Sequence, residues 1–248
     1  MKQFIIQCVA CIILGSTVFG LSKLLRCKVT DAGISEPRRS ALDAVAAVAI
    51  SMSILFLLML PQILAAKAPT STHNSHRAFA LAPQILILAL YAGPAGIFMF
   101  RNRESLRSAG ISRINLWQSL VIGTGLPALM ICLNHGGSHA KLPLPTLAHA
   151  LIFYSFVGFG EEFLFRGYLQ TRLVAWLGIG RGWILASLLM ALAHFPGRLI
   201  LGMGFFDSFV SSLSLVPASF LSGFIMLQIR NLLAPGLIHT FMEWVNVL

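Results

Sequence analysis

Residues 158–167 read GFGEEFLFRG, and the dozen residues before them are almost all apolar. An ionisable side chain at the centre of a bilayer costs roughly 2.5 to 3.5 kcal/mol, so Glu161, Glu162 and Arg166 facing lipid would together cost on the order of 8 kcal/mol. They must therefore face the interior of a helix bundle or a water-filled cavity. Glu162 and Arg166 are four residues apart and share a helix face, with the acid on the favourable N-terminal side. Glu161 is turned from Glu162 by about 100°. One carboxylate can thus be neutralised by Arg166 while the other points into a cavity, and the spacing does not choose which of them acts as a base. Gly158, Gly160 and Gly167 leave room for neighbouring helices to approach.

The rest of the chain places this stretch in a membrane. Of its 248 residues 57% are hydrophobic and 10% charged, and the mean hydropathy is +0.83. A soluble domain carries about a quarter charged residues. Apolar runs long enough to cross a hydrocarbon core of about 30 Å recur from end to end. They fall near 3–24, 42–66, 78–100, 117–134, 146–171, 182–197, 205–228 and 232–248, which predicts an all-α polytopic bundle of about eight transmembrane helices. The first run lacks a clear small-residue cleavage site and is too long for a signal-peptide core, so it is read as a retained helix.

The formal net charge of +10 does not indicate nucleic acid, because the basic residues are scattered through short connections. The first connection holds Lys23, Arg26, Lys28, Arg38 and Arg39, the third Arg101, Arg103, Arg107 and Arg113, the fifth Arg172 and Arg181, and the seventh Arg230. The even-numbered connections hold only Lys67, Arg77, Lys141 and Arg198. The positive-inside rule then puts the odd connections in the cytoplasm and both termini outside. Cys8, Cys11, Cys27 and Cys132 have neither metal-type nor disulfide-type spacing and read as packing residues. His73, His76, His135 and His139 lie in polar loops without a partnering carboxylate or cysteine.

The acidic residues divide the chain. Asp31, Glu36, Asp43 and Glu104 lie in loops or at a helix edge, whereas Glu161, Glu162, Asp207 and Glu243 lie in or beside apolar spans of the last hundred residues, which also hold His194 and His239. Asp207 reads as an N-terminal cap or interfacial anchor. His239 and Glu243 are one turn apart in LAPGLIHTFME. A carboxylate base, an imidazole that orients water and further donors for an oxyanion are the parts needed to activate water. Two other readings use the same residues. Glu161, His194 and His239 could form a His₂Glu zinc site with water in the fourth position. Alternatively, an intramembrane Glu and His relay could serve a non-enzymatic transporter or peptide-binding protein.

At this point the motifs resemble a family. EEFLFR (161–166) fits the EExxxR motif of the CPBP family, the CAAX prenyl endopeptidase and bacteriocin-processing (Abi) intramembrane proteases. MALAH (190–194) is similar to its FxxxH motif with Met190 for Phe, and LAPGLIHTFME (233–243) to its third motif, in which Asn follows the His by four residues. The resemblance covers about 146–248 and sets a catalytic core of predicted helices 5 to 8 apart from variable helices in 1–145. It implies a glutamate-dependent intramembrane endopeptidase without a covalent intermediate or a cofactor, its site lying between predicted helices 5, 6 and 8. Glu161 would be the general base, His194 would polarise the water, Glu162 and Arg166 would form a structural pair, and His239 would donate to the oxyanion. Glu243 stands where the family has Asn, so either a protonated Glu243 or Asn246, seven residues after His239, would be the second oxyanion donor, or catalysis is impaired. The implied substrate is a membrane-associated or lipidated peptide or protein. The short chain looks most like prokaryotic plasma-membrane members, with the site opening to the cytoplasm.

Overall fold

In a computed structural model, which describes residues 2–28, 32–66, 81–134 and 143–245, the regular elements are all helical. His73, His76, His135, His139 and Asn246 lie outside the described residues. Four helices, α1 (Lys2–Leu24), α2 (Pro37–Ala66), α3 (Leu81–Arg101) and α4 (Leu116–Asn134), follow the first four predicted spans closely. The fifth span becomes α5 (Leu144–Glu162), a π-helical segment (Phe163–Gln170) and α6 (Thr171–Leu177). Together these make one rod, Leu144–Leu177, about 50 Å long at 1.5 Å per residue. Gly178, at φ +83°, ends it in a conformation that L side chains rarely adopt.

The sixth and seventh spans are each broken. The sixth divides into α7 (Ile179–Ala193) and α8 (Phe195–Ile200), and the seventh into α9 (Phe205–Leu213) and α10 (Val216–Ile229). Pro196 and Pro217 each sit in the first turn of the second piece, the position that suits proline, whereas Pro94 and Pro127 are accommodated inside α3 and α4. Last comes α11 (Leu233–Val245), packed on α5 and α4. Among the described residues, five stretches are long and apolar enough to cross a membrane: Phe4–Leu24, Pro37–Leu58, Leu144–Leu177, Ile179–Ile200 and Phe205–Ile229. The apolar parts of α3 and α4 are shorter, and the 13 residues of α11 reach only about 20 Å. The eight predicted spans are therefore unequal in apolar length among the described residues.

One end of the bundle collects the odd-numbered connections. Lys28 and Asn115 bond each other through backbone and side chain, Asn115 also reaches the Ile229 carbonyl, and Asn231 donates to the carbonyls of Ser112 and Ile114. Arg172 lies at this end too, but inside α6 rather than in the loop expected of it, since the helix runs on to Leu177. It is fully buried, and its guanidinium donates to Glu104 Oε2 and Ser108 Oγ at 2.6 Å each and sits 4.3 Å over the Tyr168 ring. Ser40 of α2 donates to the other Glu104 oxygen at 2.6 Å.

The three glycines of the opening motif each face a different neighbour. A Cβ on Gly167 would lie 2.7 Å from the Ala109 carbonyl oxygen, and one on Gly158 would lie 2.9 Å from Thr240 Oγ1 and 3.1 Å from its backbone nitrogen. The latter contact sets the separation of α5 and α11. Gly158→Ala is accordingly expected to lower thermal stability in detergent by about 1–3 kcal/mol, the usual cost of overpacking, whereas Gly125→Ala, open to space within 4 Å, is not.

Candidate active site

The middle of the long rod carries the two glutamates, both buried. Glu162 is the more enclosed, and three groups converge on it: Ser222 Oγ donates to Oε2 at 2.6 Å, His239 Nδ1 lies 3.0 Å from Oε1, and Arg166 Nε lies 3.5 Å from Oε2. Arg166 also donates through Nη2 to the carbonyl and hydroxyl of Ser219 at 3.3 and 3.1 Å. The expected pair is present and has a second duty, because Glu162 also orients an imidazole.

Glu161 faces another way. Its Oε2 lies 3.9 Å from Nε2 of His194 and 3.9 Å from Nε2 of His239. These separations exceed a hydrogen bond and suit a shared small donor between the groups. Glu161 is not without a partner, however. Its Oε1 accepts from the Tyr91 hydroxyl of α3 at 2.8 Å. The sequence reading confined the chemistry to the last hundred residues and missed this group. A phenol in the middle of the apolar LILALYAGPAG (86–96), one of three tyrosines in the chain, was the available signal.

The two imidazoles are set by different partners, one by local backbone and one by a distant side chain. At the break before Pro196, the His194 amide bonds Ala191 O at 3.3 Å, and the Met190 carbonyl instead takes His194 Nδ1 at 3.0 Å. A carbonyl only accepts, so Nδ1 carries the proton and Nε2 of a neutral His194 presents a lone pair to Glu161. His239 is oriented in the same sense by the Glu162 carboxylate. Neutral, it too would present a lone pair at Nε2, and donation from that nitrogen requires the imidazolium form.

These groups line a cavity of about 390 Å³ that α1 closes on one side with Gln7 and Cys11. Glu243 lines the same cavity and is exposed. Cys11 and Leu221 also border a larger apolar groove, about 640 Å³, between α1, α7 and α10. Asp207 sits in the first turn of α9, where its charge suits the helix dipole, and the cap position itself is Gly204, so the capping role expected of Asp207 is not the one it has. Among the described residues no three His, Cys, Asp or Glu side chains form a metal-holding group. The 3.9 Å from Glu161 Oε2 to each Nε2 is wider than the roughly 3.4 Å between ligands of a tetrahedral zinc with bonds of about 2.0–2.1 Å.

The fold and this cavity define an all-α membrane protein with a carboxylate and imidazole site buried among its helices. Residues 142–245 match the family described as type II CAAX prenyl endopeptidase, Rce1-like, which is the CAAX-protease family that the three motifs resemble. The match spans the rod, both histidine motifs and the cavity walls from α7, α10 and α11, so this part of the chain is similar to a family of membrane proteases. Comparison with curated proteins and with solved structures gave no match.

Proposed function

We propose that the protein is a glutamate-dependent intramembrane endopeptidase that hydrolyses a peptide bond of a membrane-associated or lipidated protein without a metal. The observation that carries this reading is the convergence of Glu161 Oε2 with the Nε2 atoms of His194 and His239, each 3.9 Å away, on one side of a cavity. A water between Glu161 and His194 loses a proton to Glu161 as its oxygen attacks the carbonyl carbon. The carbonyl π electrons move to oxygen, and His239, protonated at both nitrogens and held by Glu162, donates Nε2–H to that oxyanion. Glu161 then passes its proton to the departing amine as the C–N bond breaks, so one water is consumed and a carboxylic acid and an amine are formed, which exchange a proton on release to give a carboxylate and an ammonium. With His239 in this form, the charges of Glu161, Glu162, Arg166 and His239 sum to zero in the buried site. Glu243 or Asn246 would be the second oxyanion donor.

The apolar groove that shares Cys11 and Leu221 with the cavity supports a substrate bearing a hydrocarbon chain or an apolar helix. The gathering of the basic connections at the Arg172 end supports a cytoplasmic location for that end. The cavity is lined by Gln7, His194, Leu215 and Glu243 from the opposite ends of α1, α7, α10 and α11, so its mouth faces away from that end and the cytoplasmic opening expected from the sequence is not supported.

His194→Ala is expected to reduce cleavage of an internally quenched prenylated CAAX peptide by roughly 10²- to 10⁴-fold while leaving the thermal midpoint unchanged. Retained cleavage would remove the proposal. Metal analysis of the same preparation separates the zinc reading: stoichiometric zinc, with activity lost to chelator and restored by metal, would replace the glutamate mechanism with a metal-assisted one.

A further inference from the structure

We propose that Tyr91 of α3 is a positioning residue for Glu161, its hydroxyl holding one carboxylate oxygen so that the other faces His194 and His239. The inference rests on the reading of Glu161 as the base and goes beyond it, because Tyr91 lies in the N-terminal half of the chain, outside residues 142–245.

A glutamate carboxyl rotates broadly about its last torsion, since sp³–sp² rotation has no sharp wells. A base needs one oxygen at the water and kept there. Tyr91 Oη donates to Oε1 at 2.8 Å, and the two contacts to histidine Nε2 atoms belong to Oε2. Among the described residues no other group donates a hydrogen bond to Glu161, so the phenol alone fixes which oxygen turns inward. The bond is charge-assisted and lies in an apolar region, where such bonds are strongest.

The backbone of the motif makes the contact feasible. A Cβ on Gly160 would lie 3.0 Å from Tyr91 Cδ2, 3.3 Å from Tyr91 Cβ and 3.4 Å from Leu88 Cδ1. The glycine between Phe159 and Glu161 therefore lets α3 come close enough for the phenol to reach the carboxylate beside it. Tyr91 also packs against the main buried cluster around Phe163, Leu164 and Tyr168, which holds its ring while its hydroxyl turns to the cavity wall.

Two readouts on the full-length protein in detergent test this. With 3-fluorotyrosine incorporated and the Tyr91 resonance assigned by its loss in Tyr91→Phe, Glu161→Ala is expected to shift the ¹⁹F signal of Tyr91 and leave that of Tyr168 in place. An unmoved Tyr91 signal would overturn the inference whatever the activity. In the peptide assay, Tyr91→Phe is expected to lower kcat about tenfold to a hundredfold with KM and thermal midpoint unchanged, and Gly160→Ala to lower kcat in the same direction. A Tyr91→Phe enzyme at the wild-type rate beside an inactive Glu161→Gln enzyme would sink the positioning role and spare the base. Active Glu161→Gln would sink the base while the fluorine result still reports the contact. A loss of kcat that tracks a fall in thermal midpoint would make Tyr91 a packing residue only.

Discussion

Glu161→Gln is expected to lower peptide-bond cleavage by roughly 10²- to 10⁴-fold, the range for removing a general base, while the protein purifies and melts as before. The amide is nearly the same size and shape as the carboxylate and can still accept from Tyr91, 2.8 Å from Oε1 in the parent. It cannot take a proton from water. The change thus removes basicity and little else, so loss of activity can be assigned to chemistry. Glu162→Gln is the instructive contrast. It weakens a side chain held by Ser222, His239 and Arg166 at once, and so is expected to cost stability as well as rate. Kinetics with the quenched peptide, alongside melting curves of both variants, would separate the two glutamates. Equal loss of stability in both would mean that the division of labour between them is wrong.

The largest expected effect on stability lies at the other end of the rod. Glu104→Ala leaves the fully buried guanidinium of Arg172 without its counter-charge, and breaking a buried pair from one side typically costs about 3–5 kcal/mol. It also strands the Ser40 hydroxyl, which donates to the same carboxylate. Replacing both partners, Glu104→Leu with Arg172→Met, removes the uncompensated charge and is expected to recover most of that loss. Melting of the two variants in the same detergent checks this, and a double variant no more stable than the single one would show that the ion pair itself, rather than its interruption, holds the end together.

Much of the site was readable from residues because charge in an apolar run has few explanations. GFGEEFLFRG forced Glu162 and Arg166 together by helix periodicity alone, and the structure has them 3.5 Å apart. The positions of His194 and His239 followed from motif order, and helix packing brings both within 3.9 Å of Glu161. What escaped was whatever depended on distant packing. Tyr91 is uncharged, and nothing in its own helix announces that a carboxylate seventy residues on will meet it. Arg172 looked like a topology signal because arginine is common at helix ends, and only the continuation of the rod to Leu177 turned it into a buried ion-pair partner. The π-helical segment Phe163–Gln170 had no signal in the sequence; two of its side chains, Arg166 and Gln170, bond Ser219 and Gly223 of α10. The division of Glu243 and Asn246 as oxyanion donors, drawn from the resemblance, has on its structural side only an exposed Glu243 in the cavity.

The bond that Tyr91 donates to Glu161 and the bond that Arg172 donates to Glu104 both link the first half of the chain to the segment that carries the family pattern. That segment is consequently not a portable cassette. Grafted onto the leading helices of a relative, it would need a hydroxyl opposite Gly160 and an acid at the foot of α3 to travel with it, or else it would arrive with a loose base and a stranded arginine. Chimeras that respect these two positions, rather than the boundary at residue 142, are the ones that physics favours.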